Sequence, residues 1–275
     1  MLKNRVFATI ITYNPDKKLL EKNILSIKKQ VEKLVLIDNK SESSILKDIQ
    51  ELKKKMNFNL LLNPNNIGVA AALNQALKLA EEGKYLYFLT MDQDTILSED
   101  AVTVMIEELE EHKLSSIGPS FNAIASDTSP RSVNFLITSG NLTRTSVAID
   151  AKGFDEWLFI DCVDTDFSLK LRVLGYKIAQ SQKATMLHSF GKKERGIFNI
   201  LYIEYSPLRH YYMERNRLYI QKKYKFFFPF YCFKLNIAAI LKRFKLLFFY
   251  KGKYEIFSSM RQGVIDARKH IIEQQ

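Results

Sequence analysis

The sequence predicts an α/β protein built on a mostly parallel central sheet, and three observations lead there. Four short apolar runs, "RVFATIITY", "KLVLIDN", "NLLLNP" and "KYLYFLTMD", have the length and composition of buried strands. Between them "DKKLLEKNILSIKKQ", "SSILKDIQELKKKM" and "GVAAALNQALKLAEE" carry helical apolar spacing. Strand and helix alternating at this spacing build right-handed βαβ units, and in such sheets ligands bind beyond the carboxyl ends of the strands. All four runs end in polar residues able to line a site: Thr12 and Asn14, Asp38 and Asn39, Asn63 and Asn65, Asp92 and Asp94.

The remaining elements follow in order. Val6 to Ile11 is too short for a signal-peptide core, so it reads as the first strand of a protein kept in the cytoplasm. After the acidic pair, "SEDAVTVMIEELEEH" predicts a helix with Ser98 as N-cap and Glu99 and Asp100 in its first turn. "SVNFLITSGNLTRTSVAI" reads as two strand-like runs broken at Ser139-Gly140. Phe167, Leu171 and Leu174 keep helical spacing from Asp164 to Leu174, and Gly175 is placed to end that helix. "KATMLH" is a last strand-like run, ending at His188.

Charge divides the chain. Residues 1–208 hold 26 Lys and Arg against 26 Asp and Glu, while residues 209–275 hold 15 against 4, the whole net charge of +11. Close to half of the aromatic residues fall in the same tail. The shift marks a domain boundary, with one domain over 1–208 and a basic, aromatic-rich helical extension over 209–275. Cys162 and Cys232 match no metal-binding or redox spacing and fit a reducing compartment.

Asp92 and Asp94, one residue apart at a strand end, could be two solvated turn aspartates or the core of a site. An EF-hand fails for want of further oxygen ligands and the turn Gly, and there is no Gly-rich Lys loop for phosphates. The Asp-x-Asp-x-Thr nucleophile loop of haloacid dehalogenase-type phosphotransferases is only approached, because Thr95 comes one position early. The remaining option is a divalent cation held by carboxylates and completed by substrate phosphates, as suits a nucleoside-diphosphate sugar. Asp155, Asp161, Asp164 and Asp166 form a second acidic cluster, readable as a helix start or as the source of a carboxylate base for sugar transfer to a hydroxyl.

Six segments in order, "TIITYNP", "LIDNKS", "NIGVAAALNQAL", "LTMDQDT", "GFDEWLFIDCVDTDFSLKLRVLGY" and "ATMLH", resemble glycosyltransferase family 2. The "DQD" form with "RHYYMERNRLY" is most similar to its bacterial rhamnosyltransferase branch. The resemblance spans residues 5 to about 220. It implies a GT-A fold, with a Rossmann-like central sheet, and an inverting, metal-dependent transfer from a nucleotide sugar. By position, Thr12, Tyr13, Asn14, Asp38 and Asn39 would cradle the nucleobase and ribose, with Asn66 and Asn74 nearby. Asp92 and Asp94 would hold Mg²⁺ or Mn²⁺ and the diphosphate, with His188 as a further contact, and Asp164 would be the catalytic base. Arg215 and Asn216 match a region where a guanidinium grips phosphate.

Val163 stands where many members have Glu before the catalytic Asp, and the Gln-x-x-Arg-Trp motif of processive members is absent. The expectation is therefore the addition of one sugar, L-rhamnose from dTDP-rhamnose, to a lipid-linked saccharide in surface polysaccharide assembly. Alternatives are another donor of the family, galactofuranose, glucose or an N-acetylhexosamine from a UDP-sugar, or a non-catalytic basic protein on a degenerate scaffold. The tail has no apolar run near the roughly 20 residues of a spanning helix. Its mixed Lys, Arg, Phe and Tyr predict a peripheral position on the anionic inner face of the membrane. Nucleic acid is not an expected partner, because no recognisable RNA- or DNA-binding module accompanies the charge; a homodimer is compatible with the chain.

Overall fold

The computed structural model describes residues 5–121, 129–188, 193–195, 201–203, 205–249 and 253–273. The chain forms two compact units, residues 1–159 with 163–189, and residues 160–162 with 190–275. Helix α7 of the second unit starts at Pro207, beside the compositional break at 208, although that unit takes in chain from residue 190 onward.

The first unit is the expected α/β layer structure. Strands β1 (Val6–Thr12), β2 (Lys33–Asp38), β3 (Asn59–Leu62) and β4 (Tyr87–Asp92) are parallel in the order β3-β2-β1-β4, linked by helices α1 (Lys17–Lys28), α2 (Ser43–Met56) and α3 (Val69–Glu82). Every residue of β1 is buried, which is why its sequence is nearly all apolar rather than alternating, Thr9 and Thr12 excepted. Asp16 caps α1 by accepting the Leu19 N–H at 2.8 Å. The alanines of α3, with Ala70, Ala72, Ala76 and Ala80 buried, let this helix pack closely.

The sheet continues through β5 (Thr95–Leu97), β6 (Ser116–Ser120), β7 (Arg131–Ser132), β8 (Asn141–Arg144) and β9 (Ile178–His188). Its full order is β3-β2-β1-β4-β8-β6-β9-β5, with β7 also on β9. Three expectations need correction here. Ser98 does not cap helix α4 (Ala101–Glu111), because its hydroxyl instead accepts the Thr185 N–H of β9 at 3.2 Å. Of the first strand-like run only Ser132 lies in a strand, β7, which pairs with β9; the Leu136 backbone instead bonds the Ser168 hydroxyl at 3.0 Å. The end of the second run, Thr145–Asp150, is helix α5 rather than strand, its first N–H taken by the Leu86 carbonyl. Helix α6 (Val163–Val173) ends as expected, with Gly175 left-handed and the Tyr176 N–H reaching back to the Leu171 carbonyl.

The second unit holds a short hairpin, β10 (Lys193–Arg195) with β11 (Leu201–Ile203), and helices α7 (Pro207–Tyr224), α8 (Pro229–Phe249) and α9 (Lys253–Glu273). Ser206 caps α7 and Pro207 starts it. Helices α7 and α9 meet at Gly263, where a Cβ would stand 2.5 Å from the Tyr211 carbonyl oxygen, so no larger residue fits. The buried Glu214 carboxylate is held by Arg217 at 2.6 Å and by Arg243 of α8.

Candidate active site

Parallel register sets the ends of three strands level: Thr12 lies opposite Asp38, and Ile11 opposite Asp92. The chain leaves β1 for β2 on one side, while β4 lies on the other, so the crevice beyond β1 is the topological switch point of the sheet. A cleft of about 510 Å³ opens at this edge, lined by Tyr13, Asn14, Asp38, Ser41, Leu62 and Asn63 among others.

The predicted residues of this region converge through hydrogen bonds. The Asp38 carboxylate accepts the Thr12 hydroxyl at 3.0 Å, the Ser41 hydroxyl at 2.5 Å and the Ser41 N–H at 2.8 Å. Asn14, left-handed at φ 49°, donates its N–H to the Ser41 hydroxyl and accepts the Glu42 N–H, both at 2.8 Å. Buried Asn39 donates to the Gly68 carbonyl at 3.0 Å and accepts from the Asn63 amide at 2.8 Å. These bonds fix the floor of the cleft and leave the Tyr13 ring half exposed at its mouth.

Asp92 ends β4, and Asp94 lies with Gln93 in the two-residue turn that leads to β5. Gln93, within that turn, accepts the Tyr13 N–H at 2.8 Å and so ties the acidic corner to the cleft across the switch point. Asp92 is half-buried and accepts the Thr138 hydroxyl at 3.2 Å, while its main chain is held by Asn23 and Ser139. β5 pairs with β9 so that Thr95 lies opposite His188, which brings the backbone of the third expected metal residue to the same corner. The His188 side chain lies outside the described residues, among which no three carboxylates, imidazoles or thiols converge. Asp92 and Asp94 are hard oxygen donors of the kind that Mn²⁺ or Mg²⁺, completed by phosphate oxygens, would take.

Asp164 lies in the first turn of α6 and accepts the Thr165 N–H at 2.7 Å. The segment before it is anchored on α3. The Val69 N–H donates to the Phe159 carbonyl at 2.7 Å, and Gly68, at φ +85°, has no room for a Cβ, which would come within 2.6 to 2.9 Å of Phe159 atoms. Asn74 belongs to this anchor rather than to the cleft: its amide donates to the Phe154 carbonyl and Glu156, and accepts the Phe154 N–H. Asn66 likewise accepts the Gly68 N–H at 3.0 Å, shaping the turn into α3.

Arg215 and Asn216, in the second unit, are buried inside α7. Asn216 donates to the Ile160 and Asp161 carbonyls at 2.7 and 2.8 Å and accepts from Arg215 at 2.9 Å. It clamps a backbone in which Asp161 and Cys162 are both left-handed, a costly conformation for residues with side chains. The Asp161 carboxylate is taken up by Arg209 at 3.0 to 3.3 Å.

Sequence reasoning passed over Ser41 and Gln93, both inside quoted motifs, and named Asn63 only as a polar strand end. The sequence signal for all three was adjacency to a chosen residue.

The model of the family described as Glycosyl transferase family 2 matches residues 8–160, more than half of the chain. The chain belongs to glycosyl transferase family 2. It is a glycosyltransferase with a GT-A-like fold, as the sequence motifs implied. It is 24% identical over 244 residues to a dTDP-rhamnosyl transferase, RfbF, of Shigella flexneri, covering 81% of each chain. Among solved structures it resembles the mannosyltransferase PcManGT of Pyrobaculum calidifontis in complex with GDP-Man and Mn²⁺ (TM-score 0.61, 12% identity, 99% of this chain and 88% of that one). It also resembles GalNAc-T7 with UDP, GalNAc and Mn²⁺ (TM-score 0.59, 12% identity, 68% of this chain), of which it spans only 44%. At such identities the two solved structures speak for the fold.

Proposed function

We propose that this family 2 transferase moves one L-rhamnose from dTDP-rhamnose, with inversion and with Mg²⁺ or Mn²⁺, to a lipid-linked saccharide at the inner face of the cell membrane, in surface polysaccharide assembly. The observation that carries the donor reading is the make-up of the cleft. Its polar floor, Asp38, Asn14 and Asn63, suits the edge of a pyrimidine and its ribose, and Leu46, Leu62 and Pro64 add an apolar wall. That wall suits the C5 methyl of thymine, which distinguishes dTDP from UDP. The likeness to a dTDP-rhamnosyl transferase supports the same donor.

In this reading the acceptor hydroxyl gives its proton to Asp164 as its oxygen bonds the anomeric carbon, and the bond from that carbon to the diphosphate breaks, releasing dTDP. Asp92 and Asp94, with His188, would hold the cation, which when bound neutralises charge on the departing diphosphate. Gln93 and Thr138 keep the acidic turn in register with the cleft.

Calorimetry with dTDP, dUDP, UDP and GDP in the presence of Mn²⁺ tests the donor. Burying one methyl is worth about 0.8 kcal/mol, so dTDP should bind about fourfold tighter than dUDP, and Leu62→Ala should erase the difference. Tighter binding of UDP than of dTDP moves the chain to a UDP-sugar specificity, and tighter binding of GDP removes the pyrimidine reading.

A further inference from the structure

Helix α8 is apolar on opposite sides, and its own unit covers only one of them. Cys232, Ala239 and Leu246 are buried, Leu246 packing with Ile256 and Met260 of α9. On the other side Phe230, Phe233, Ile237, Leu241, Phe244 and Leu247 are all exposed, Phe230 at 83%. At 100° per residue these six, with Ile240, fall within roughly 120° of arc, the width of a helix face that ordinarily seeks cover. Phe226 and Phe227, just before the helix, extend the patch at 84% and 61% exposure.

A helix apolar all round is a buried helix, and scattered exposed apolar residues would not line up on one stripe. Charge decides what covers it. Exposed Lys234 and Lys245 border one edge of the stripe, with exposed Lys222 and Lys225 beside the leading phenylalanines, while Arg243 on the other edge is committed to Glu214. A second copy would set one tail of +11 against another. Among the described residues no helix is long and apolar enough to cross a membrane. An apolar stripe edged by cations, on a helix that does not span, matches a helix lying in the headgroup region of an anionic bilayer.

We propose that the outer face of α8, led by Phe226 and Phe227, is the membrane-embedding surface of this protein, and that its occupant is an anionic lipid surface. The stripe enters the acyl boundary while the bordering lysines meet lipid phosphates and carboxylates. It deepens the membrane placement proposed above but not the donor reading: nucleotide binding can fail with this surface intact, and the reverse.

Flotation of the full chain with phosphatidylcholine vesicles, with and without phosphatidylglycerol, tests it. The protein should float with anionic vesicles at low salt, and a fraction should stay bound in high salt, where the electrostatic part is screened. Phe230→Ser/Phe233→Ser/Phe244→Ser should lower partitioning about tenfold or more and abolish the salt-resistant fraction. Its melting temperature and dTDP binding should remain those of the parent, since the three side chains face outward. In parallel, Phe230→Trp should be quenched by bromine-labelled lipid to an extent that the parent, with Trp157 alone, is not. Absence of flotation at low salt overturns the proposal, as does flotation unchanged in the triple variant. A dimer in light scattering that the triple variant dissolves, without vesicle binding, would assign the stripe to a second copy instead.

Discussion

In the α/β unit the largest apolar side chains, Phe7, Phe88 and Met91 among them, are essentially inaccessible, whereas on α8 of the helical unit a row of phenylalanines stands in the open. The charge contrast runs the same way: residues 1–208 are neutral and residues 209–275 carry +11. The α/β unit also turns its polar groups inward at one edge, where Asp38, Asn39 and Asn63 are buried and bonded to one another's loops. One unit has spent its apolar surface on a core and its polar groups on a cleft. The other has kept apolar surface outside, at a cost it recovers only on contact with something. The proposed reading gives chemistry to the first unit and attachment to the second, and substitutions can test that division.

The largest effect should come from Asp164→Asn, which keeps shape and hydrogen bonding but cannot take a proton. Single-turnover transfer should fall about a hundredfold or more while donor affinity survives. Asp161→Asn and Asp166→Asn are the controls, because Asp161 is committed to Arg209 and Asp166 is buried beside Lys170 at 3.5 Å. Near-normal transfer by Asp164→Asn would break the division at its strongest point, and a greater loss at either control would move the base there.

Next, Gly68→Ala should destabilise the α/β unit by about 2 kcal/mol, because alanine is strained at φ +85° and its Cβ meets the Phe159 backbone. Denaturant unfolding measures it, and an unchanged midpoint would show that the segment before Asp164 yields. A smaller effect is expected of Asp94→Ala: dTDP affinity in Mn²⁺ should drop about tenfold, to the level the parent shows with chelator. Equal affinity of the parent with and without chelator would remove the cation from the acidic corner.

The smallest effect sharpens the helical side. His210 of α7 is buried without a hydrogen-bond partner among the described residues, and burial, then Lys242 and Arg209, lower its pKa to about 4. As pH falls below about 6.5 the unfolded chain takes up this proton before the folded one. Stability is full above that pH and is lost on the way down to about 4. His210→Phe should flatten this slope, seen as a melting temperature that changes less between pH 6.5 and 4.5.

Legibility followed local chemistry. The four parallel strands and three helices up to Asp92 were readable because a strand buried on both faces is largely apolar, and "VFATIIT" is, but for Thr9 and Thr12. Thr145–Asp150 misled because β-branched residues favour strands, yet here a short helix packed near α3 won. Ser98 misled because a capping residue was spent on β9 instead. In the cleft, Asp38 and the acidic pair were legible as polar ends of apolar runs. Asn74 read as a cleft residue because sequence distance hides that it meets a loop 80 residues away.

The corner formed by Asp92, Gln93 and Asp94 has a consequence for how the protein comes into being. β4 sits within the sheet and β5 at its far end, although only two residues separate them. Their union is complete only when β9 has arrived to pair with β5, with Thr95 meeting His188 across more than ninety positions of chain. Contacts of such sequence separation carry a closure cost before they repay it, and they form late. During synthesis both aspartates leave the ribosome early and wait for the arrival of β9. A nascent chain stopped before residue 178 lacks β9, the partner of β5, so the acidic corner is completed only once residues 178–188 have been made.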